Sequence, residues 1–223
     1  QAVADGMTVT TAGEAAAHQA LTTFCQQSLL DYGELRDYPA QASTSQLSPY
    51  LALGVLSPNQ CLAAIEAELG QLPFSRGEQG FMWLNELIWR EFYRHLLVAF
   101  PRLSMSKAFK PDTEALQWNY DKTDFAAWCE GQTGYPIIDA AMRCLHKTGW
   151  MHNRLRMIVA SFLTKDLHID WRWGEAHFMA TLIDGELAAN NGGWQWAAGT
   201  GADAAPYFRV FNPTTQGERF DSQ

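Results

Sequence analysis

Two helical patterns meet in GYPIIDAAMRCLHKTGWMHNRLRMIVASFLTKDL, residues 134–167. Pro136 favours the first turn of a helix and Gly149 favours the end of one, so the sequence predicts helices over 136–147 and 151–165. Within the second pattern, apolar residues recur every three or four positions, as they do on the buried face of an amphipathic helix. The stretch therefore indicates an α-helical fold.

The same spacing recurs on both sides of this stretch, and the alternation typical of strands is nearly absent. Further helices are predicted over residues 14–31, 57–69, 81–100, 124–131 and 174–184. Residues 102–124 are expected to form a surface connection, and residues 190–213, rich in glycine and aromatics, are too irregular to predict a long element. The predicted fold class is all-α: one helical domain with a loop-rich edge over residues 13–223, after a linker remnant at residues 1–12.

Composition places the chain among ordinary globular proteins. It has 223 residues, of which 47% are hydrophobic and 18% are charged. The four cysteines are scattered, without a CxxC pair or a histidine in ligand spacing, so we expect no metal site and a reduced, cytoplasmic protein. No apolar run approaches the roughly 20 residues of a bilayer span, so no membrane association is expected.

The net charge of −8 conceals two basic stretches. Residues 87–111 and 142–165 together hold ten Lys and Arg side chains against one acidic side chain, Glu91. The remaining residues are correspondingly acidic. On charge alone two interpretations stay open: ordinary solvated helix faces, or a surface that binds a polyanion such as nucleic acid.

One face of the helix predicted over residues 81–100 suits a flat ligand. At helical spacing it carries a carboxylate, an indole, a guanidinium and a phenol: Glu86, Trp89, Arg90 and Tyr93. Two aromatics beside a carboxylate can stack such a ligand and hydrogen-bond to it. The alternative is a structural ion pair between Glu86 and Arg90, one turn apart. The core is expected to take the opposite face, with Leu84, Leu87, Ile88 and Leu96.

Two other segments could contribute to a ligand site. The helix predicted over 151–165 places polar residues and a methionine on one face: Asn153, Arg156, Met157 and Ala160. A short loop crowds the hydroxyls of Thr44, Ser45 and Ser48, which could hold phosphates although the Gly-Lys-Ser/Thr of a P-loop is lacking.

Glycines and tryptophans are open to two interpretations each. Gly192 and Gly193 could adopt positive φ angles that let the backbone approach a ligand, or they could form a plain turn. The nine tryptophans fit core packing as well as they fit stacking or electron transfer.

Four ordered motifs carry a specific resemblance to a known family. They are TSQLSPYLALGVLSP (44–58), WLNELIWREFYRHL (83–96), the stretch 134–167, and LIDGELAANNGGWQWAAGTGADAAPYFRVFNP (182–213). With them the chain resembles the FAD-binding domain of the photolyase and cryptochrome family, most closely that of bacterial class I cyclobutane pyrimidine dimer photolyases. The resemblance implies a DNA repair flavoprotein, a deoxyribodipyrimidine photo-lyase, with reduced FAD as its cofactor.

The resemblance also implies which residues bind FAD. The positions that hold the phosphates and ribityl chain match Tyr32, Thr44, Ser45, Leu47 and Ser48. Those around the flavin match Trp83, Arg90, Asn153, Arg156, Asp184, Glu186 and Asn190. Asn190 is expected to face flavin N5, and Arg156 and Asp184 are expected to pair near the isoalloxazine ring. Glu186 departs from the family pattern, in which aspartate is expected.

The implied substrate is DNA that contains a cyclobutane pyrimidine dimer, bound by a monomer. The pocket positions match Glu86, Trp89, Asn153, Met157 and Trp196. A dimer flipped from the duplex would be clamped by the two indoles and hydrogen-bonded by Glu86. Blue-light-excited FADH⁻ would give it an electron, the ring would split and the electron would return. Around the lesion, basic residues such as Lys107 and Arg154 would contact phosphates.

Three tryptophans match the family's chain of indoles that reduces oxidised flavin: Trp118, Trp171 and Trp194. Against a (6-4) photolyase, the pocket has Asn153 and Met157 where histidines would be expected. A cryptochrome that binds FAD without repair is the alternative, although Asn190 and the pocket aromatics are intact. The antenna chromophore is expected only in an N-terminal α/β domain absent from this chain, and the terminal helices of the family are expected beyond residue 223.

Overall fold

The computed structural model describes residues 10–204, 206 and 209–221, and within them it forms eleven α-helices. They are Glu14–Gln27 (α1), Tyr32–Leu35 (α2), Ser48–Ala52 (α3), Pro58–Leu69 (α4), Phe81–Ala99 (α5), Lys122–Glu130 (α6), Pro136–Thr148 (α7), Asn153–Ser161 (α8), Trp171–Thr181 (α9), Leu187–Ala198 (α10) and Pro213–Phe220 (α11). The all-α fold class is confirmed. Most of the linker predicted at residues 1–12 lies outside the described residues.

The helices gather into two compact units whose boundary falls within α5, between residues 92 and 93. In the unit that precedes this boundary, α1 packs on α4. Its core is built from apolar side chains of α1, α4 and the first half of α5, among them Leu21, Ile65, Trp83 and Leu84.

Helix–helix packing is more extensive in the unit that follows residue 92. There α9 packs on α10, while α7 contacts α6, α8 and α11. Its core is rich in aromatic residues and includes Trp128, Phe162, Trp171, Phe178 and Trp194. Helix α8, which carries the predicted polar face, is therefore part of a tightly packed helical unit.

The junction between α7 and α8 forms as the sequence predicts. Pro136 occupies the first turn of α7, and Gly149 ends the helix at φ 68°, where its N–H donates to the Leu145 carbonyl at 2.7 Å. The ring of His152 then caps α8 by accepting a hydrogen bond from the Arg154 N–H at 3.1 Å. Because these helix-start and helix-end signals involve residues within one turn of each other, they can be recognised in the sequence.

The second predicted helix of this stretch has a less regular end than expected. In place of an α-helix to residue 165, α8 ends at Ser161 and a π-helical turn follows over Phe162–Asp166. The Thr164 hydroxyl donates to the Ala160 carbonyl at 2.8 Å, and the Leu167 N–H reaches back to the Phe162 carbonyl. The widened turn uses the longer backbone hydrogen bond that periodicity alone does not reveal.

The expectation of an irregular stretch from residue 190 onward is wrong over residues 190–198. These residues belong to α10, and neither Gly192 nor Gly193 has a positive φ. Gly192 packs directly against the Tyr93 ring, so close that an added methyl group would overlap it. Tertiary packing therefore overrides the low helix propensity of glycine.

Two other expectations need correction. Ile88 was assigned to the core face of α5, but 53% of its surface is exposed, whereas Leu84 and Leu87 are buried as predicted. The helix expected to begin at residue 174 begins at Trp171, because the Asp170 carboxylate accepts a hydrogen bond from the Arg172 N–H and caps it.

A half-buried histidine gives the second unit a pH dependence that can be measured. Burial, and to a smaller extent the neighbouring His146, lowers the pKa of His177 from its ordinary 6.5. The unfolded chain therefore binds a proton more readily, so stability present above pH 6.5 is lost as the pH falls toward the folded-state pKa. His177→Phe is expected to flatten this part of the pH profile in urea unfolding. An equal slope in parent and variant would contradict the assignment.

Candidate FAD and DNA site

In the unit before residue 93, Glu86 pairs with a residue that sequence spacing does not suggest. Its Oε1 lies 2.7 Å from Nη1 of Arg36, which lies at the end of α2. Arg90 instead donates to the Leu51 carbonyl at 2.9 Å and to Glu91 at 2.8 Å. The alternative of a Glu86–Arg90 pair is wrong, because both partners find better placed groups elsewhere in the fold.

Tyr32 lies beside the same pair. The Arg36 guanidinium carbon is 5.5 Å from the centroid of the Tyr32 ring, and the ring meets Phe24 edge-on. Burial, followed by the nearby Glu86 charge, raises the pKa of Tyr32, so its phenol stays protonated. It is thus a neutral hydroxyl held next to a charged pair.

A buried leucine and backbone hydrogen bonds fix the loop that carries Thr44, Ser45, Leu47 and Ser48. Leu47 is fully buried, and its N–H donates to the Ser45 hydroxyl at 3.4 Å. The neighbouring Ser43 hydroxyl donates to the Leu35 carbonyl at 3.0 Å. Thr44, Ser45 and Ser48 remain partly exposed. The buried leucine thus anchors a short segment that carries three partly exposed hydroxyl residues.

The two indoles of α5 have different environments. Trp83 is buried in the core, with its ring centroid 4.8 Å from that of Phe24. Trp89 is half-buried and meets Phe92 edge-on at 5.3 Å. Trp89 therefore has surface left with which to stack a ligand, whereas Trp83 is held mainly by protein.

In the unit after residue 92, Arg156 and Asp184 form the pair that was expected. Arg156 Nη2 lies 2.7 Å from Asp184 Oδ2, and Arg156 Nε donates to the Met151 carbonyl at 2.8 Å. The Asp184 side chain is 1% exposed. Its Oδ1 is buried and accepts no hydrogen bond from the described residues. A buried carboxylate oxygen of this kind fits a ligand that brings its own N–H or O–H donor.

Asn190 is oriented by a hydrogen bond to the backbone of Glu175, whose side chain belongs to a polar network in the same unit. Its Nδ2 donates to the Glu175 backbone carbonyl at 3.0 Å. The Glu175 carboxylate accepts from Asn191 at 2.9 Å, and Gln195 donates to the Asn191 side chain at 2.8 Å. Burial raises the pKa of Glu175. The hydrogen bond to the Glu175 backbone orients the Asn190 amide and leaves its carbonyl oxygen and one N–H for a ligand.

Glu186 uses its extra length to pair with an arginine. Its Oε1 lies 2.9 Å from Nε of Arg94, a residue that the sequence analysis did not single out. The signal available in the sequence was only that Arg94 belongs to a basic stretch. Because the two residues are far apart in the chain, no local pattern indicates the pair.

The positions expected to contact a flipped base lie on the surfaces of their helices. Asn153 is exposed, and its Nδ2 is 4.0 Å from the Met157 sulfur one turn later. Trp196 is half-buried and stacks with Phe211 at 6.2 Å. These side chains present an exposed amide together with a thioether and an indole that are half-buried.

The three tryptophans predicted to carry electrons differ in burial. Trp171 and Trp194 are buried, and Trp118 is partly exposed and packs against the same core. Trp194 also packs over Gly174, where an added methyl group would overlap its ring. The order of burial is compatible with a route from the interior to the surface.

The basic stretches divide into engaged and exposed side chains. Arg90, Arg94 and Arg156 pair with acids, and Arg102 and Arg143 donate to backbone carbonyls. Lys107, Lys110 and Lys147 are exposed. Five arginines of the basic stretches thus hold other protein groups, whereas these three lysines extend from the surface.

An anchored hydroxyl loop in the first unit, and an oriented amide and an arginine–aspartate pair in the second, are groups of the kind that a cofactor-binding helical protein uses. The model of the FAD-binding domain of DNA photolyase matches residues 83–223. The chain belongs to this family. Among the described residues, no helix is long and apolar enough to cross a membrane.

Relatives support the same assignment. The chain is 62% identical to the deoxyribodipyrimidine photo-lyase of Vibrio cholerae, over 90% of this chain and 42% of that protein. It is 60% identical to the one of Escherichia coli, over 94% of this chain and 44% of that protein. The chain thus spans less than half the length of these relatives.

Solved structures agree in fold. A bacterial class III photolyase from Agrobacterium tumefaciens superposes with a TM-score of 0.89 at 47% identity, over 95% of this chain and 43% of that one. A cryptochrome from Synechocystis gives a TM-score of 0.86 at 37% identity, over 96% of this chain and 45% of that one. The fold is therefore shared by repair enzymes and a cryptochrome.

Proposed function

We propose that this chain is the FAD-binding part of a light-driven DNA repair enzyme, a deoxyribodipyrimidine photo-lyase. The observation that carries the proposal is the Arg156–Asp184 pair, whose buried Oδ1 lacks a donor among the described residues. High identity to proteins named deoxyribodipyrimidine photo-lyase supports the reaction.

The chain's own groups suit each part of FAD. The phosphates and ribityl chain are assigned to Tyr32 and the anchored loop, residues 44–48, which supply neutral hydroxyls. The flavin is assigned to Asp184, Arg156 and Asn190, which offer a fixed acceptor, a cation and an amide that both donates and accepts. When bound and reduced, FAD supplies light absorption and one-electron donation, which side chains lack.

The other residues assigned to the flavin are held in place by protein contacts or lie exposed on the surface. Trp83 and Arg90 are held rigidly, by the core and by Leu51 respectively. Glu186, paired with Arg94, replaces the shorter acid of the family pattern. Asn153 matches family positions for both cofactor and substrate, and it is exposed at the start of α8.

The substrate is proposed to be DNA with a cyclobutane pyrimidine dimer flipped out of the helix. Trp89 and Trp196 are partly exposed and can stack on the bases, at about 1–3 kcal/mol per base. Met157 supplies a polarisable apolar contact, and Glu86 accepts hydrogen bonds from the bases. A damaged pair costs less to unstack than an intact one, which gives selectivity.

The protein is proposed to act as a cytoplasmic monomer. Its four cysteines are free, as expected in a reducing compartment. With a net charge of −8, its affinity for undamaged DNA is expected to be weak and to fall with added salt.

The function is tested with the full protein that carries this chain. The absorption spectrum reports FAD binding, and blue light on dimer-containing DNA reports repair by restoration of intact pyrimidines. Flavin binding without repair, and without preference for damaged over intact DNA, would favour a cryptochrome. Absence of flavin in the parent protein and failure to bind added FAD would overturn the proposal.

Glu86 separates substrate binding from cofactor binding. Glu86→Gln keeps the shape and a hydrogen bond to Arg36 but removes the charge, so dimer affinity is expected to fall about tenfold, or about 1.4 kcal/mol. Flavin content should not change. The matched control is Glu66→Gln, the same charge change at an exposed position of α4. Loss of FAD in the Glu86 variant would instead make it a cofactor residue.

A further inference from the structure

Five aromatic rings form a continuous row from the interior to the surface of the second unit. We call this row the aromatic relay, and it consists of Trp194, Trp128, Phe125, Trp173 and Tyr120. Successive ring centroids are 5.9, 5.9, 5.1 and 5.6 Å apart. Only Trp194 among them belongs to the tryptophans assigned above to electron transfer.

The relay runs along a gradient of burial. Trp194 is 2% exposed and Trp128 is 0% exposed, whereas Tyr120 is 57% exposed. Phe125 and Trp173 are partly buried. The Trp128 indole N–H donates to the Val159 carbonyl at 3.1 Å, which fixes the buried end of the row.

The exposed end of the relay has a built-in proton acceptor. The Tyr120 hydroxyl donates to Oδ2 of Asp170 at 3.2 Å. Asp170 is itself held by the Arg172 backbone N–H and guanidinium. Burial and the Asp170 charge raise the pKa of Tyr120, so the phenol is protonated before any oxidation. A phenol loses an electron more easily when a nearby base can accept its proton.

We propose that the aromatic relay carries an oxidising equivalent from Trp194 to Tyr120. An electron moves from Tyr120 to the oxidised indole of Trp173, Tyr120 becomes a neutral phenoxyl radical, and its proton passes to Asp170. Trp173 in turn is oxidised by Trp128 across Phe125, and Trp128 by Trp194. Phe125 bridges the two indoles without being oxidised itself, because a benzene ring is much harder to oxidise than an indole.

The initial oxidant is of the class of photoexcited, oxidised flavins, and only the identity of this oxidant rests on the proposed function. A reductant in solution returns the electron to Tyr120, and Asp170 returns the proton. The relay thereby gives the buried indoles a second exit to the surface, apart from the one assigned to Trp118. Oxidation would end on an exposed phenol instead of damaging the core.

The relay can be tested without flavin. Azide radicals generated by pulse radiolysis oxidise tryptophan in preference to tyrosine, and transient absorption then follows both radicals in the same protein. The parent chain is expected to convert tryptophan radical into tyrosine radical at a rate independent of protein concentration. Tyr120→Phe should lose this conversion, and Trp173→Phe should lose it although Tyr120 is present.

Trp118→Phe is the matched control, since it removes an indole outside the relay and should keep the conversion. Unchanged formation of tyrosine radical in both Tyr120→Phe and Trp173→Phe would overturn the relay. In flavin-loaded protein, a light flash followed by electron paramagnetic resonance should give a tyrosine radical that Tyr120→Phe abolishes. A relay seen by radiolysis in protein that fails to bind FAD would refute the proposed function while leaving the relay intact.

Discussion

Replacing Gly192 by alanine is expected to cost about 3 kcal/mol of the free energy of unfolding. The Cα of Gly192 faces the Tyr93 ring, and a methyl group there would overlap several ring atoms. Either Tyr93 must leave its position or α10 must move away from it. Because α10 also carries Asn190 and Trp194, we expect this variant to lose flavin as well. Urea unfolding and flavin absorbance measure the two effects.

The adjacent glycine supplies the control. A methyl group at Gly193 would meet no atom within 4 Å, and its backbone is helical. Gly193→Ala is therefore expected to stabilise the chain by up to about 1 kcal/mol, since alanine favours a helix more than glycine. Similar losses of stability in both variants would show that close packing against Tyr93 is not the reason for Gly192.

Removing the charge of Asp184 is expected to have a comparable effect on stability and a larger one on the cofactor. Asp184→Asn leaves the largely buried Arg156 without its carboxylate, and breaking such a pair costs about 3 kcal/mol. The remaining amide can no longer neutralise Arg156. We expect unfolding at lower urea concentration and loss of bound FAD.

A matched charge change on the surface distinguishes this pair from ordinary ion pairs. Glu14→Gln removes the carboxylate that faces His18 on α1, where both side chains are well exposed. Its effect on unfolding is expected to remain within about 0.5 kcal/mol, with flavin retained. If Asp184→Asn were equally mild and kept its flavin, Asp184 would not be a cofactor residue.

Helix positions show how far local signals reach. Pro136, Gly149 and Ser57 start or stop helices through groups within one turn of the chain, and these boundaries could be read from the sequence. The residues of α10 could not. Two adjacent glycines argue against a helix locally. The Tyr93 ring, against which Gly192 packs, belongs to a residue that is distant from it in the sequence.

The candidate site shows the same division. The motifs identified its residue types, including the Arg156–Asp184 pair, through resemblance to a family. Glu86 nevertheless pairs with Arg36, 50 residues away, where helical spacing offered Arg90. Likewise Glu186 meets Arg94, 92 residues away. Arginine and glutamate side chains are long and flexible, so their partners depend on which helices the fold brings together.

Fold class and the helix ends that proline, glycine or a capping side chain marks locally follow from sequence, because periodicity and capping act between neighbours in the chain. Which acid faces which base, whether a glycine packs or turns, and how five aromatic rings line up are set by tertiary packing. Trp128, Trp173 and Tyr120 carry no local sign of a common row. Trp128 and Trp173 meet on either side of Phe125 because their helices share one core, and Tyr120 packs on Trp173 from the surface.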